Sequence, residues 1–183
     1  MITTESEVKQ KLLQGINMVA DAVSPTLGPQ AKTAILQGSP PVIINDGVTI
    51  TKYVKHEDPY VQMGIQMVQN LASQAQDKSG DGTTTACILA RSLCNNIFSH
   101  YSNIENMRVF QDELSNIQEF VVTKIEEASQ SITEDDVFDV AFISSNNDTE
   151  IAGMITEAVK TVGKDGVITV EEGKTYKNQL IVR

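Results

Sequence analysis

Apolar residues recur at helical spacing through long stretches of this chain and alternate in only a few short ones. Thr4-Glu5-Ser6-Glu7 has the form of a capping box, and behind it Val8, Leu12, Leu13, Ile16, Val19, Ala20 and Val23 fall on one helical face. This first helix is predicted to stop near Ser24, because the residue before Pro25 is driven out of the helical region. The period returns from Tyr60 to Gln76, where Met63, Met67, Val68, Leu71, Ala72 and Ala75 form a stripe expected to pack in the core. An apolar helix is predicted from about Thr84 to Phe98. An amphipathic one runs from about Asn106 to Ala128, with Met107, Phe110, Leu114, Ile117, Val121 and Ile125 on one face. Glu134-Asp135-Asp136 reads as a helix start, since acids suit the positive end of the dipole. A last helix spans roughly Asp148 to Val162 and ends at Gly163.

Strand-like runs are short: Thr33 to Leu36, Val42 to Ile44, Val48 to Thr51 and Val167 to Val170. Asn45-Asp46-Gly47, between the second and third, is a tight-turn signal and predicts a small hairpin. The fold class expected is mainly α with small β hairpins, an α+β arrangement. The chain ends in Leu180-Ile181-Val182-Arg183, a strand just begun, with no turn or polar tail after it. That ending predicts a fragment, or one part of a split protein.

Charge narrows the chemistry. The 183 residues carry a formal net charge of −10 and no Trp, so the core is aliphatic. The long-range field repels nucleic acid and anionic membranes, and neither is an expected partner. Any phosphate site must be local, built from backbone N–H groups, a helix end and a bound cation. The start of the chain has neither a basic segment nor an apolar one, and no apolar run reaches about 18 residues, so a cytoplasmic protein is expected. Cys87 and Cys94, seven apart, fit neither metal nor redox spacing and read as packed apolar residues in a reducing compartment.

Three segments carry candidate chemistry. In Gly80-Asp81-Gly82-Thr83-Thr84-Thr85, two glycines let the backbone approach a ligand and three hydroxyls sit where a helix begins. A carboxylate beside phosphate oxygens needs a divalent cation between them, so Asp81 reads as a magnesium ligand. The same run serves equally well as a Gly-rich helix start with no ligand. Thr26-Leu27-Gly28-Pro29 is a turn that reads as an ordinary loop or as a close backbone approach at Gly28. Asp46 either orients a water or bonds its own turn. Two decoys fail. Gly173-Lys174-Thr175 lacks the earlier glycine of a P-loop, Ile168 standing in its place, and His56 and His100 have no ligands at metal spacing.

Taken together and in order, these segments resemble the N-terminal region of group I chaperonins, the GroEL family, from about Val19 to Gly173. The pieces are Ala20-Asp21-Ala22-Val23 before Thr26-Leu27-Gly28-Pro29; Asn45-Asp46-Gly47-Val48; Met63-Gly64-Ile65-Gln66-Met67-Val68; Gly80 to Ala86; Ile143-Ser144-Ser145-Asn146; and Val162 to Glu171. The resemblance implies an ATP- and magnesium-binding subunit of a homo-oligomeric, seven-membered ring, with potassium as a further candidate ion. Unfolded client proteins and a co-chaperonin lid would be its partners. Thr26, Leu27, Gly28 and Pro29 would wrap the phosphates, with Asn45 and Gly47 beside them. Asp81 would ligate magnesium, and Gly82, Thr83, Thr84 and Thr85 would hold phosphate oxygens. Asp46 would be the catalytic carboxylate near the terminal phosphate, and Ile143 would touch the nucleotide. Residues 1–127 would be half of an equatorial domain and 128–183 the start of an intermediate domain, with the apical domain absent.

Two departures from the family pattern stand out. Asn45 replaces the usual Lys, removing a charge near the phosphates. A family subunit is also about three times longer, so this chain lacks the second catalytic carboxylate, the adenine pocket and the client-binding surface. ATP hydrolysis is therefore expected of a complete subunit and not of the 183-residue chain alone. The alternative is a non-enzymatic piece that caps or modulates a full-length ring.

Overall fold

The structure, a computed structural model, describes residues 4–28, 30–38, 40–101, 104–163, 166–171, 173 and 178–181. They form two compact units, 1–107 and 108–183.

The first unit is built on three helices: α1 (Glu5–Val23), α3 (Pro59–Ser79) and α4 (Thr83–His100). The capping box at the start of α1 forms as expected. Thr4 Oγ1 accepts the Glu7 N–H at 3.3 Å, and the Glu7 carboxylate accepts the Thr4 N–H at 2.9 Å. Helix α1 ends at Val23, but Pro25 does not drive Ser24 out of the helical region as expected: Ser24 keeps φ −52° and ψ −39°, and a 3-10 turn, Ser24–Thr26, carries the chain to extended backbone at Leu27.

Helices α1 and α3 meet backbone to backbone through two glycines. A Cβ on Gly15 would strike Val61 O and lie 2.8 Å from Ile65 N; one on Gly64 would strike Leu12 O and lie 2.9 Å from Leu12 C. Around this crossing Ile16, Val19, Val23, Val61, Ile65, Val68, Ala72 and Cys87 form the core. Polar pairs fix the edges. Lys11 Nζ meets Asp58 Oδ2 at 2.6 Å, Arg91 meets Asp21 at 2.5 Å, and Asn95 Nδ2 donates to Asn17 Oδ1 at 2.8 Å. Cys87 and Cys94 are free thiols packed as apolar groups, and burial pushes Cys87 up to about 11.

The close glycine crossing corrects the stripe expected on α3. The buried row is Val61, Gly64, Ile65, Val68 and Ala72, while Met63, Met67 and Leu71 are exposed. Backbone contact at Gly64 turns that row inward and the methionines outward. Ile16, Met67, Val68, Leu71, Ala90 and Cys94 line a half-open apolar groove of about 170 Å³.

The small sheet pairs β1 (Ala34–Leu36) antiparallel with β2 (Val42–Ile44), Ile35 opposite Ile43. The hairpin expected across Asn45-Asp46-Gly47 does not form, because residues Gly47–Tyr53 are a helix, α2. Asp46 caps it, and burial of Val48, Ile50 and Thr51 overrides the strand preference of a β-branched run. Gln69 of α3 donates to Thr51 O and Val54 O, at 2.7 and 3.1 Å, and holds the end of α2.

The second unit holds α5 (Met107–Ala128), α6 (Glu134–Ser144) and α7 (Thr149–Val162). Thr133 N–H and hydroxyl both donate to Asp136 at 2.7 Å, the start foreseen from the acidic run. Helices α6 and α7 pack together over Ala141, Ala152 and Ala158. They are joined through Asn146 and Asn147 with φ of 58° and 65°, residues that tolerate the left-handed region. Val167–Val170 is not a strand, and its valines stand in solvent. Nor are Leu180 and Ile181 in a strand; Val182 and Arg183 lie outside the described residues. Among the described residues no helix is long and apolar enough to cross a membrane.

Candidate functional site

The junction of α3 and α4 is shaped by glycine. Gly80 closes α3 in the left-handed conformation (φ 71°), its N–H donating to Gln76 O at 2.8 Å, and Gly82 opens α4 at φ 81°. Only glycine takes such angles at little cost, and with open space around both, the conformation rather than crowding requires it. Asp81 stands exposed between them. Its Oδ1 accepts the Gly82 N–H at 2.6 Å. The Ser79 hydroxyl donates toward Ala75 O and Asp81 O, at 2.8 and 3.0 Å, and pins the Asp81 peptide. Ser79 received no role from the sequence, although its place before the Gly-Asp-Gly run was the available signal.

Helix α4 begins without a cap. Thr4, Asp46, Asp58 and Asp148 each accept N–H groups at the starts of α1, α2, α3 and α7, whereas Gly82 offers α4 no side chain. The first intrahelical bond of α4 runs from Ala86 N–H to Gly82 O at 2.9 Å. The amides of Thr83, Thr84 and Thr85 precede it, with the positive end of the helix dipole behind them. An uncapped start carrying hydroxyls, next to a carboxylate, suits a phosphate oxygen and a bridging cation.

Two other segments reach this corner. Thr26 Oγ1 lies 3.2 Å from Thr84 Oγ1, and it also donates to Val23 O at 2.8 Å. Gly47 is buried against Thr83 and Thr84, so the start of α2 abuts the start of α4. Thr26, Gly47, Thr83 and Thr84 are thus brought together, with Asn45 and Asp46 immediately before Gly47 in the chain. Leu27 and Gly28 follow Thr26 outward. Leu27 is exposed, and Gly28 has φ 86° with open space around it. Thr85 is exposed on the first turn of α4. Pro29 lies outside the described residues. Ile143 belongs to the second unit, near the end of α6, and is exposed.

Asp46 bonds its own turn, one of the two readings open from the sequence. Its oxygens accept from Val48 N–H at 3.4 Å, Thr49 N–H at 2.8 Å and the Thr49 hydroxyl at 2.6 Å. Partial burial works against its charge. The Thr49 and Val48 bonds and the nearby Lys52 outweigh that and hold its pKa below the ordinary carboxylate value. Thr49 was missed in the sequence; its signal was the spacing Asp-x-x-Thr at a helix start. Among the described residues no three His, Cys, Asp or Glu side chains cluster as a metal site. His56 serves the local turn, its Nδ1 accepting the Asp58 N–H at 3.0 Å.

Comparisons with known proteins come from both sequence and structure. A family model described as the TCP-1/cpn60 chaperonin family matches residues 19–182. Over 181 residues the chain is 40% identical to the protein named Chaperonin GroEL of Holospora obtusa, covering 97% of this chain and 33% of that one. It is 37% identical to Chaperonin homolog Hsp-60, mitochondrial, of Caenorhabditis elegans over 178 residues, 96% of this chain and 31% of the other. The chain therefore spans about a third of the length of the curated relatives it matches. Among solved structures, the chaperonin gp146 from the bacteriophage EL 2 (Pseudomonas aeruginosa), crystallised in the presence of ATP-BeFx, matches with a TM-score of 0.76. That match covers 94% of this chain and 32% of the other at 24% identity. A group III chaperonin in the open state matches with a TM-score of 0.68 at 22% identity, covering 84% of this chain and 31% of that one. At these identities the two structures establish likeness of fold.

Proposed function

The chain belongs to the TCP-1/cpn60 chaperonin family, and from that premise we propose that it carries the phosphate- and magnesium-binding half of an ATP site in a protein-folding subunit. The observation that carries this reading is the uncapped start of α4, where the amides of Thr83, Thr84 and Thr85 open the helix just after Asp81 in the chain. Asp81 is the magnesium ligand. Bound there, magnesium would neutralise the repulsion between that carboxylate and the phosphate oxygens. The amides of Thr83, Thr84 and Thr85 and the hydroxyls of Thr83 and Thr85 donate to phosphate oxygens, the Thr84 hydroxyl stands against Thr26, and Thr26, Leu27, Gly28 and Gly47 form the facing wall.

Asp46 is the carboxylate proposed beside the terminal phosphate. A carboxylate held in its charged form is a weak proton acceptor, so its part is to orient a water rather than to take a proton. Asn45 contributes a neutral amide where the family pattern has a cation, and phosphate affinity rests the more on backbone N–H groups and the metal. Residues 1–127 belong to an equatorial domain and 128–183 to an intermediate domain. The ring, the clients, the lid and ATP turnover belong to the assembled protein.

Calorimetric titration of the chain with ATP, with and without magnesium, tests this. Binding that requires magnesium and weakens about tenfold or more in Asp81→Ala is expected. Binding indifferent to magnesium, or unchanged by the substitution, overturns the assignment.

A further inference from the structure

Gly47 is a glycine that its backbone does not need. It lies in the first turn of α2 and outside the left-handed region, where glycine is among the poorer helix formers. Its conformation would accept alanine. What excludes alanine is space. A Cβ built on Gly47 falls 2.5 Å from Thr84 Oγ1, 2.9 Å from Thr83 Oγ1 and 3.4 Å from Thr84 N.

The Thr84 hydroxyl is constrained from its other side as well. Thr26 gives its hydroxyl proton to Val23 O at 2.8 Å, so in the 3.2 Å pair with Thr84 the Thr26 oxygen accepts and Thr84 donates. We infer that Gly47 is a positioning residue: its missing Cβ is the slot that lets the Thr84 hydroxyl stand against Thr26, fixing one side-chain rotamer at the start of α4. Any side chain at position 47 evicts that oxygen, breaks the Thr26 contact and turns the Thr84 methyl group or hydrogen toward the neighbours. Gly47 thus acts through Thr84, in addition to its place in the proposed wall. Its consequence for nucleotide rests on the proposed magnesium–ATP site, whereas the rotamer itself does not.

The test measures the Thr84 χ1 couplings by NMR, together with magnesium–ATP affinity, in the native chain, Gly47→Ala and Gly47→Ala/Thr84→Ser. Expected are a single Thr84 rotamer in the native chain, a different one in Gly47→Ala, and about tenfold weaker magnesium–ATP binding in that variant. The double variant should bind no better than Gly47→Ala, because its serine hydroxyl is excluded from the same slot and cannot stand against Thr26. Thr26→Val keeps the shape and removes the accepting oxygen. It should loosen the same rotamer from the other side, and it decides the matter if Gly47→Ala does not fold. Unchanged Thr84 couplings in these variants overturn the inference. So does a double variant that binds magnesium–ATP as tightly as the native chain, because a hydroxyl standing against Thr26 would then be dispensable. If the native chain binds no magnesium–ATP, the proposed function fails while the couplings still decide the role of Gly47.

Discussion

Helices α1 and α5 are written in the same pattern and meet opposite fates. Both are long and amphipathic, with apolar residues at helical spacing. In α1 that row disappears into the core, with Ile16, Val19, Ala20 and Val23 buried between α3 and α4. In α5 no residue is buried, and Ile117, Phe120 and Ile125 are each more than half exposed. Periodicity selects the face that a helix offers, and only a partner decides whether that face leaves water. For α1 the partner is supplied by backbone contact at Gly15 and Gly64, which no hydrophobicity pattern encodes.

Matched substitutions break or confirm this contrast. Ile65→Ala removes a fully buried side chain at the α1–α3 crossing and should cost about 3–4 kcal/mol of unfolding free energy. Ile125→Ala on α5 should change it by less than about 0.5 kcal/mol, because its side chain already meets solvent. Equal costs in denaturant titrations would mean that the face of α5 is covered after all. Next in size, Gly64→Ala should cost about 2–3 kcal/mol through collision with the α1 backbone. Gly153→Ala in the middle of α7 has open space around it and should gain about 0.5–1 kcal/mol from helix propensity. If both glycines respond alike, close approach is not what selects Gly64.

A smaller effect should appear in acid. Asp58 pairs with Lys11 and caps α3, and these bonds hold its pKa below the ordinary 3.8. The stability it contributes is complete above that value and is lost as pH falls through the lowered folded-state pKa. Asp58→Asn should flatten the acid limb of the stability–pH curve while leaving α5 unaffected. An unaltered acid limb would show that the pair contributes nothing.

Much of this was legible in the chain. The capping box of Thr4 and Glu7 and the glycine end at Gly163 are local signals, and local signals fix helix ends. Long-range contacts were not legible. Val48-Thr49-Ile50-Thr51 favours a strand until burial and the Asp46 cap make it a helix. The exposure of Met63 and Met67 follows from two glycines some fifty residues apart. At the candidate site, Gly80 to Thr85 could be picked out because close-approach glycines and hydroxyls at a helix start are themselves sequence signals. That Thr26 and Gly47 close on Thr84 could not, since their meeting depends on how α1, α2 and α4 pack.

The corner at the start of α4 is the centre of the account, and amide NMR of the labelled chain titrated with magnesium–ATP tests it most directly. The account predicts that the resonances of Thr26, Gly28, Gly47 and Gly80 to Thr85 move together, and that Asp81→Ala suppresses the change. Resonances at this corner that stay still while others respond, or a chain that does not respond at all, would contradict it.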